Sequence, residues 1–329
     1  MQRAAWCLAL LSLAAALAAS SPEENLKALR YGTPEAQEKA LDEVMAGRVP
    51  DAGPALVELL GQMKGVDQIK VVEALGVVRE ASAVRPLIAL LSGANPELRI
   101  DVVRTLGLIG DSSAAPAVSA ALKDGDPELR EAAATALGAC GTADDVPALG
   151  AALKDTVQLV ALAAVDALGS LGSSRAFPLL KPLLKDPDVN FKRHVVLAVG
   201  ALRSEDMNRY LKALLKDHDP YLRGASAEAL AMRPRDAALE ASLIARLDDP
   251  VYAVQVRAVE TLGAWKSVAA VPALIKALRS DEPTLRWKAV VALGQIADAR
   301  AVDPLEYLRD HDSEVEIRAA AAAALKGMK

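Results

Sequence analysis

The stretch Asp281-Glu282-Pro283-Thr284-Leu285-Arg286-Trp287-Lys288-Ala289-Val290-Val291-Ala292-Leu293-Gly294 decides the fold. An acidic side chain before proline is a helix start: the acid accepts from orphan N–H groups, and proline at the first helical position gives up a donor that had no partner. Leu285, Ala289 and Leu293 then fall on one face at helical spacing. Gly294 lets that face press on a neighbouring backbone. Upstream, Val271 to Leu278 reads as a shorter helix with Leu274, Ile275 and Leu278 as its buried stripe. The unit is a helix pair.

Outward from this pair, the same features recur. Leu-Gly stands at Leu75-Gly76, Leu106-Gly107, Leu137-Gly138, Leu168-Gly169, Leu262-Gly263 and Leu293-Gly294, with looser forms at Val199-Gly200, Leu230-Ala231 and Leu325-Lys326, spaced by 31 or 32 residues. Pro54, Pro86, Pro116, Pro147, Pro178, Pro272 and Pro304 run in phase with it. So do Asp126-Pro127, Asp186-Pro187, Asp219-Pro220, Asp249-Pro250 and Glu282-Pro283, with Thr33-Pro34 and Asn95-Pro96 as variants. Three series locked to one period predict an all-α fold, an α-α superhelix of about ten helix pairs over residues 21–329, each pair burying its apolar faces on its neighbours. The first pair, Pro22 to Gly47, lacks Leu-Gly and is rich in charge, as a terminal cap should be. From Pro187 to Gly200 and from Pro250 to Gly263 the distance is two residues longer than elsewhere, which predicts local irregularities. No Pro/Gly/Ser-rich linker interrupts the array, so residues 21–329 read as one domain. No window alternates as a strand does.

Composition agrees. The chain is 52% hydrophobic but 3% aromatic, so its apolar mass is Ala, Leu and Val, side chains that suit close helix packing. A net charge of −5 argues against nucleic-acid partners and anionic membrane surfaces, both of which need a basic face. Residues 1–20 read as an export signal: Arg3, an uncharged run from Trp6 to Ala19, and an A-x-A site at Ala16-Leu17-Ala18. The run is shorter than the roughly 20 apolar residues of a membrane span, so a periplasmic or extracellular protein, not an integral membrane one, is expected after cleavage. Cys140 would then be its one cysteine, with no internal disulfide.

The unit Asp281-Glu282-Pro283-Thr284-Leu285-Arg286 through Leu293-Gly294, Asp298, Ala301-Val302 and Pro304-Leu305 resembles HEAT repeats of the short, phycobilisome-lyase-like class. The resemblance covers nearly the whole chain. It implies a curved solenoid whose second helices line the concave side, and it says little about activity because function lives in sites grafted on folds. Relatives of this class include lyases that attach or detach a tetrapyrrole (a bilin), which is the alternative function. HEAT-fold di-iron hydroxylases use His-Glu dipeptides, and this chain has none.

A basic residue recurs eight positions before the glycine site, at Arg99, Arg130, Lys192, Arg223, Arg286 and Arg318, with Ala161 and Gln255 interrupting it. Because it recurs with the repeat, it reads as a structural ladder bracing turn acids such as Asp126, Asp186, Asp219 and Asp281. His218 and His311 occupy equivalent turns three units apart, too far to share an ion, and His194 has no Glu partner. Cys140 falls where the preceding unit has Ile109 and reads as a small buried hydrophobe. No P-loop, dinucleotide fingerprint or nucleophile–base arrangement is present, so neither a cofactor, a metal nor a catalytic site is assigned.

Function should sit where the units differ. Eight of the nine aromatics after Trp6 lie between Phe177 and Tyr307. Positions two and five beyond the ladder share a helix face and give Asp101, His194, Arg257 and Lys288, with Arg104, Asp166, Glu228 and Glu260. This stripe of mixed charge suits a protein or extended peptide. Its C-terminal part, His194, Glu228, Arg257, Glu260, Trp287 and Lys288, is the candidate surface of a non-enzymatic binding scaffold.

Overall fold

In the computed structural model, residues 20–64, 66–93 and 95–328 are described. The expected export signal therefore lies outside the described residues except for Ser20. The chain divides into two compact units, one ending at Ala167 and one beginning at Leu168.

The first unit contains α1 (Pro22–Tyr31), α2 (Pro34–Met45), α3 (Gly53–Leu60), α4 (Val66–Val78), α5 (Val84–Leu90), α6 (Pro96–Ile109), α7 (Ala115–Ala121), α8 (Pro127–Cys140) and α9 (Val146–Ala152). The division falls inside α10 (Gln158–Leu171). The second unit continues with α11 (Phe177–Leu180), α12 (Val189–Ala201), α13 (Asp206–Leu214), α14 (Pro220–Leu230), α15 (Ala237–Ile244), α16 (Tyr252–Ala264), α17 (Val271–Ala277), α18 (Pro283–Ile296), α19 (Val302–His311) and α20 (Val315–Lys326). These twenty helices form ten successive pairs, with no strand among the described residues. The fold is an all-α superhelical repeat.

In both units the long, even-numbered helices pack on one another: α2 on α4, α4 on α6 and α6 on α8, then α12 on α14, α14 on α16, α16 on α18 and α18 on α20. The glycine of the Leu-Gly motif makes this approach possible. A Cβ built on Gly107 would stand 2.8 Å from Ala136 Cβ, and one on Gly200 2.7 Å from Ala229 Cβ. The facing residue is small as well, so backbone meets backbone. Leu106, Leu137 and Leu293 beside these glycines are fully buried. Thr105 and Thr261 reach across to carbonyls of Val72 and Ala227, at 3.1 and 2.7 Å.

Most odd-numbered helices are entered through a single 3₁₀ turn. Asp111, Ser267 and Asp298 cap three of these turns, and the alanine that closes each (Ala114, Ala270 and Ala301) is fully buried. In α17 the buried positions are Val271 and Leu274, with Leu278 just beyond. Ile275, expected in the stripe, is only half-buried.

The turns between paired helices correct one expectation. Asn95, Asp126 and Asp219 cap α6, α8 and α14 as the sequence suggests. At the two sites read as lengthened, however, α12 starts after Asp188, whose carboxylate accepts from Asn190 and Phe191, and α16 starts after Val251. Pro187 and Pro250 sit inside the turn, two residues before the position held by Pro127 or Pro220. Nothing is inserted. The recurring element is an aspartate two residues before the cap: Asp124, Asp155, Asp186, Asp217, Asp249 and Asp312 each accept the N–H two residues on, at 2.9–3.0 Å, and Ser280 does so before α18 at 3.2 Å.

Candidate functional site

Four of the recurrent cations, Arg99, Arg130, Arg223 and Arg286, end on that aspartate one pair further along. Arg99 bonds Asp124, Arg130 bonds Asp155 through two nitrogens at 2.7 and 3.0 Å, and Arg223 bonds Asp249 through two at 2.8 Å. Arg286 does the same to Asp312, and Lys192 reaches Asp219. The same guanidinium also holds its own turn: Arg223 donates to the carbonyls of Asp217 and His218, and Arg318 to those of Asp312 and Ser313. Gln255 keeps this half of the task through the carbonyl of Asp249. Arg130, Arg223 and Arg286 thus tie their own turn to the next one, and of the four acids expected as partners only Asp219 takes the role. The Arg223–Asp249 pair is the most enclosed, its side chains 10% and 0% exposed. Arg286 beside Asp312 holds that carboxyl below its ordinary value against the opposing effect of burial. These residues are occupied with the stack.

The candidate stripe behaves differently. On α12, α14, α16 and α18 a line of opposite charges crosses four helices. Arg193 bonds Glu228 through two nitrogens, one at 2.9 Å. Arg257 lies 3.8 Å from Glu228 and 3.0 Å from Glu260, and Glu260 also takes Lys288. Partial burial pushes the Glu260 carboxyl up, but Lys288 and Arg257 outweigh it and hold the group below its ordinary value. Expected members Glu228, Arg257, Glu260 and Lys288 are therefore brought together. His194 is half-buried on α12. Arg193, which the sequence reading missed, is the α12 residue beside it that reaches Glu228. In the first unit Arg104 binds Asp101 and Glu128, and Asp166 is exposed.

Every cation in this line touches a carboxylate, but three cations share two carboxylates, so the surface is polar and carries a single excess positive charge. The arginines are about two-fifths exposed. Exposed pairs of this kind contribute ~1 kcal/mol or less, so an incoming polar chain can replace them at small cost.

Trp287 stands at the end of the line. Its side chain is exposed, not core, and Lys288 Nζ lies 5.2 Å from the ring centre. Toward α20 it walls a groove of about 450 Å³ with Pro283, Thr284, Glu314, Glu316 and Ile317. The other aromatics divide. Phe177 and Tyr210 form an edge-on pair at 4.8 Å, and Phe191 is buried. Tyr221 and Tyr307 are exposed, Tyr307 stacking on His311. Cys140 is buried as expected, its thiol pushed up to about 11 by burial, which removes it from nucleophilic chemistry near neutral pH. Among the described residues no group of His, Cys, Asp and Glu is placed to hold a metal ion, and no helix is long and apolar enough to cross a membrane.

A family model for HEAT repeats matches residues 53–122, 84–164, 147–231 and 240–326. A search of curated proteins gives no match. Among solved structures, importin beta aligns with a TM-score of 0.53 at 16% identity, over 92% of this chain and 50% of its own. The CpcE–CpcF complex of phycocyanin lyase from Nostoc sp. PCC7120 aligns with a TM-score of 0.42 at 23% identity, over 75% of this chain and 94% of that one. An engineered protein aligns with a TM-score of 0.47 at 21% identity, over 94% and 99%.

Proposed function

From a chain that belongs to the HEAT-repeat family, we propose an exported, non-enzymatic scaffold that binds a protein or extended peptide on the even-helix face of residues 168–329. The observation that carries this reading is the line Arg193–Glu228–Arg257–Glu260–Lys288 ending at exposed Trp287. The cations of the ladder are committed to holding turns. Those of the line are half-buried, non-recurrent and interleaved with two carboxylates that leave one excess positive charge, which suits a polar polypeptide better than a nucleic acid. An aromatic ring beside cations is the composition of an interface anchor. Export rests on the Arg3, Trp6–Ala19 and Ala16-Leu17-Ala18 pattern.

The test is affinity capture from the periplasm or medium with mass spectrometry, comparing the native chain with Trp287→Ala and Arg257→Glu. Both substitutions are expected to weaken capture of a defined partner, Trp287→Ala by ~2 kcal/mol, with melting temperature nearly unchanged. A sharp fall in melting temperature with capture intact would make Trp287 a packing residue of the stack and remove the assignment. Material purified from its source should begin near Ala19 or Ser21. An intact Met1 on exported protein would refute cleavage.

A further inference from the structure

The groove between α18 and α20 has an asymmetry that identifies what fits it. Its floor is Ile317, which is buried, and its wall is the indole of Trp287, with Pro283 and Thr284 continuing the apolar surface one turn earlier on α18. Its far side carries Glu314 and Glu316, both exposed. The Glu314 carboxylate has one long contact, from Ser313 Oγ at 3.4 Å, and feels Arg286 at longer range, but among the described residues neither glutamate forms a salt bridge. Asp281 and Glu282, also exposed, precede α18 at the same end. The nearby cations are engaged elsewhere: Arg286 with Asp312, Arg318 with the carbonyls of Asp312 and Ser313, and Lys288 with Glu260 on the side of Trp287 toward α16.

An apolar channel beside an aromatic ring, rimmed by exposed carboxylates that form no salt bridge, complements one side-chain chemistry. A long aliphatic stem with a cationic head can lie along the ring and place its charge among the carboxylates, gaining burial, cation–π attraction and charge complementarity together. Arginine meets all three conditions, since its planar head stacks and is weakly hydrated. We propose that the groove between α18 and α20 docks an arginine-bearing aliphatic segment of a partner polypeptide, its stem on Trp287 and its guanidinium at Glu314 and Glu316. The inference rests on the scaffold reading above and specifies the partner's chemistry.

The test is calorimetric titration of the full chain with acetyl-Arg-Leu-Arg-Leu-amide and with acetyl-Glu-Leu-Glu-Leu-amide, at low and moderate salt. The basic peptide should bind saturably and more weakly as salt rises. The acidic one should not bind. Trp287→Ala is expected to weaken binding about tenfold or more, and the pair Glu314→Gln with Glu316→Gln by a similar factor. The two glutamates are exposed surface residues, so that pair keeps the test valid if Trp287→Ala is poorly folded. Equal binding of the two peptides, no binding of the basic one, or basic binding indifferent to the two glutamates would overturn the proposal. If any of these occurs while partner capture still depends on Trp287, the partner chemistry is wrong and the scaffold stands. If capture is also indifferent to Trp287, both fall.

Discussion

At the scale of single residues, the two sets of charges separate by what removing one would leave behind. Arg223 encloses Asp249, whose side chain has no exposure. Arg223→Met is therefore expected to cost ~2 kcal/mol, because two charge-assisted hydrogen bonds are lost and the buried carboxylate keeps only Arg246 at 3.2 Å and the N–H of Val251. Arg318 occupies the same ladder position but bonds only turn carbonyls, so Arg318→Met should cost ~1 kcal/mol. Urea titrations of the two variants check the contrast. The pH dependence follows from Asp312, which Arg286 holds below its ordinary value. The unfolded chain takes up that proton first as pH falls. The pair's stabilisation is thus complete above about pH 5 and lost as pH drops through the depressed folded value. Arg286→Met should flatten that acid limb. Ser226 gives the opposite sign: its hydroxyl is buried with no hydrogen-bond partner, where other even helices carry Ala133, Ala258 or Ala289. Ser226→Ala should stabilise by ~1 kcal/mol, read from the denaturation midpoint.

At the scale of elements, the contact between even-numbered helices is set by glycine facing alanine. Gly200→Ala raises intrinsic helix propensity by ~1 kcal/mol, yet its new Cβ would lie 2.7 Å from Ala229 Cβ. Overpacking is expected to win, with a net loss of ~1–3 kcal/mol. Adding Ala229→Gly should recover part of it in a double-mutant cycle, whereas additive losses would show that the two residues do not meet. The period of the sequence made these helices legible because Leu-Gly and acid-Pro are local signals. The ladder's partners were not legible. Arg130 reaches Asp155, in the next pair, and a choice between Asp155 and Asp126 depends on the stagger between pairs, which one unit of sequence does not contain. Pro187 and Pro250 misled for a related reason. Proline marks a turn but not its position in it, and the fixed point is Asp186 or Asp249.

At the scale of the whole molecule, the helix pairs within each unit repeat one packing solution, so the recurrent residues describe the stack and the proposed site is read from the exceptions. The stripe of Glu228, Arg257, Glu260 and Lys288 was readable because positions three apart share a helix face. Arg193 was missed because it stands one place before His194, and only its reach to Glu228 reveals it. The groove beside Trp287 was not readable, since it forms between α18 and α20. Its glutamates look like ordinary first-turn acids in the sequence. The most direct measurement is photo-crosslinking of the captured partner from a probe at position 287, 260 or 276. Positions 287 and 260 lie on even-numbered helices, and Lys276 is an exposed residue of α17. Crosslinks to the partner are expected from 287 and 260 and not from 276. Crosslinks from 276 alone would put the partner on the other face and contradict the even-helix surface as the site of function.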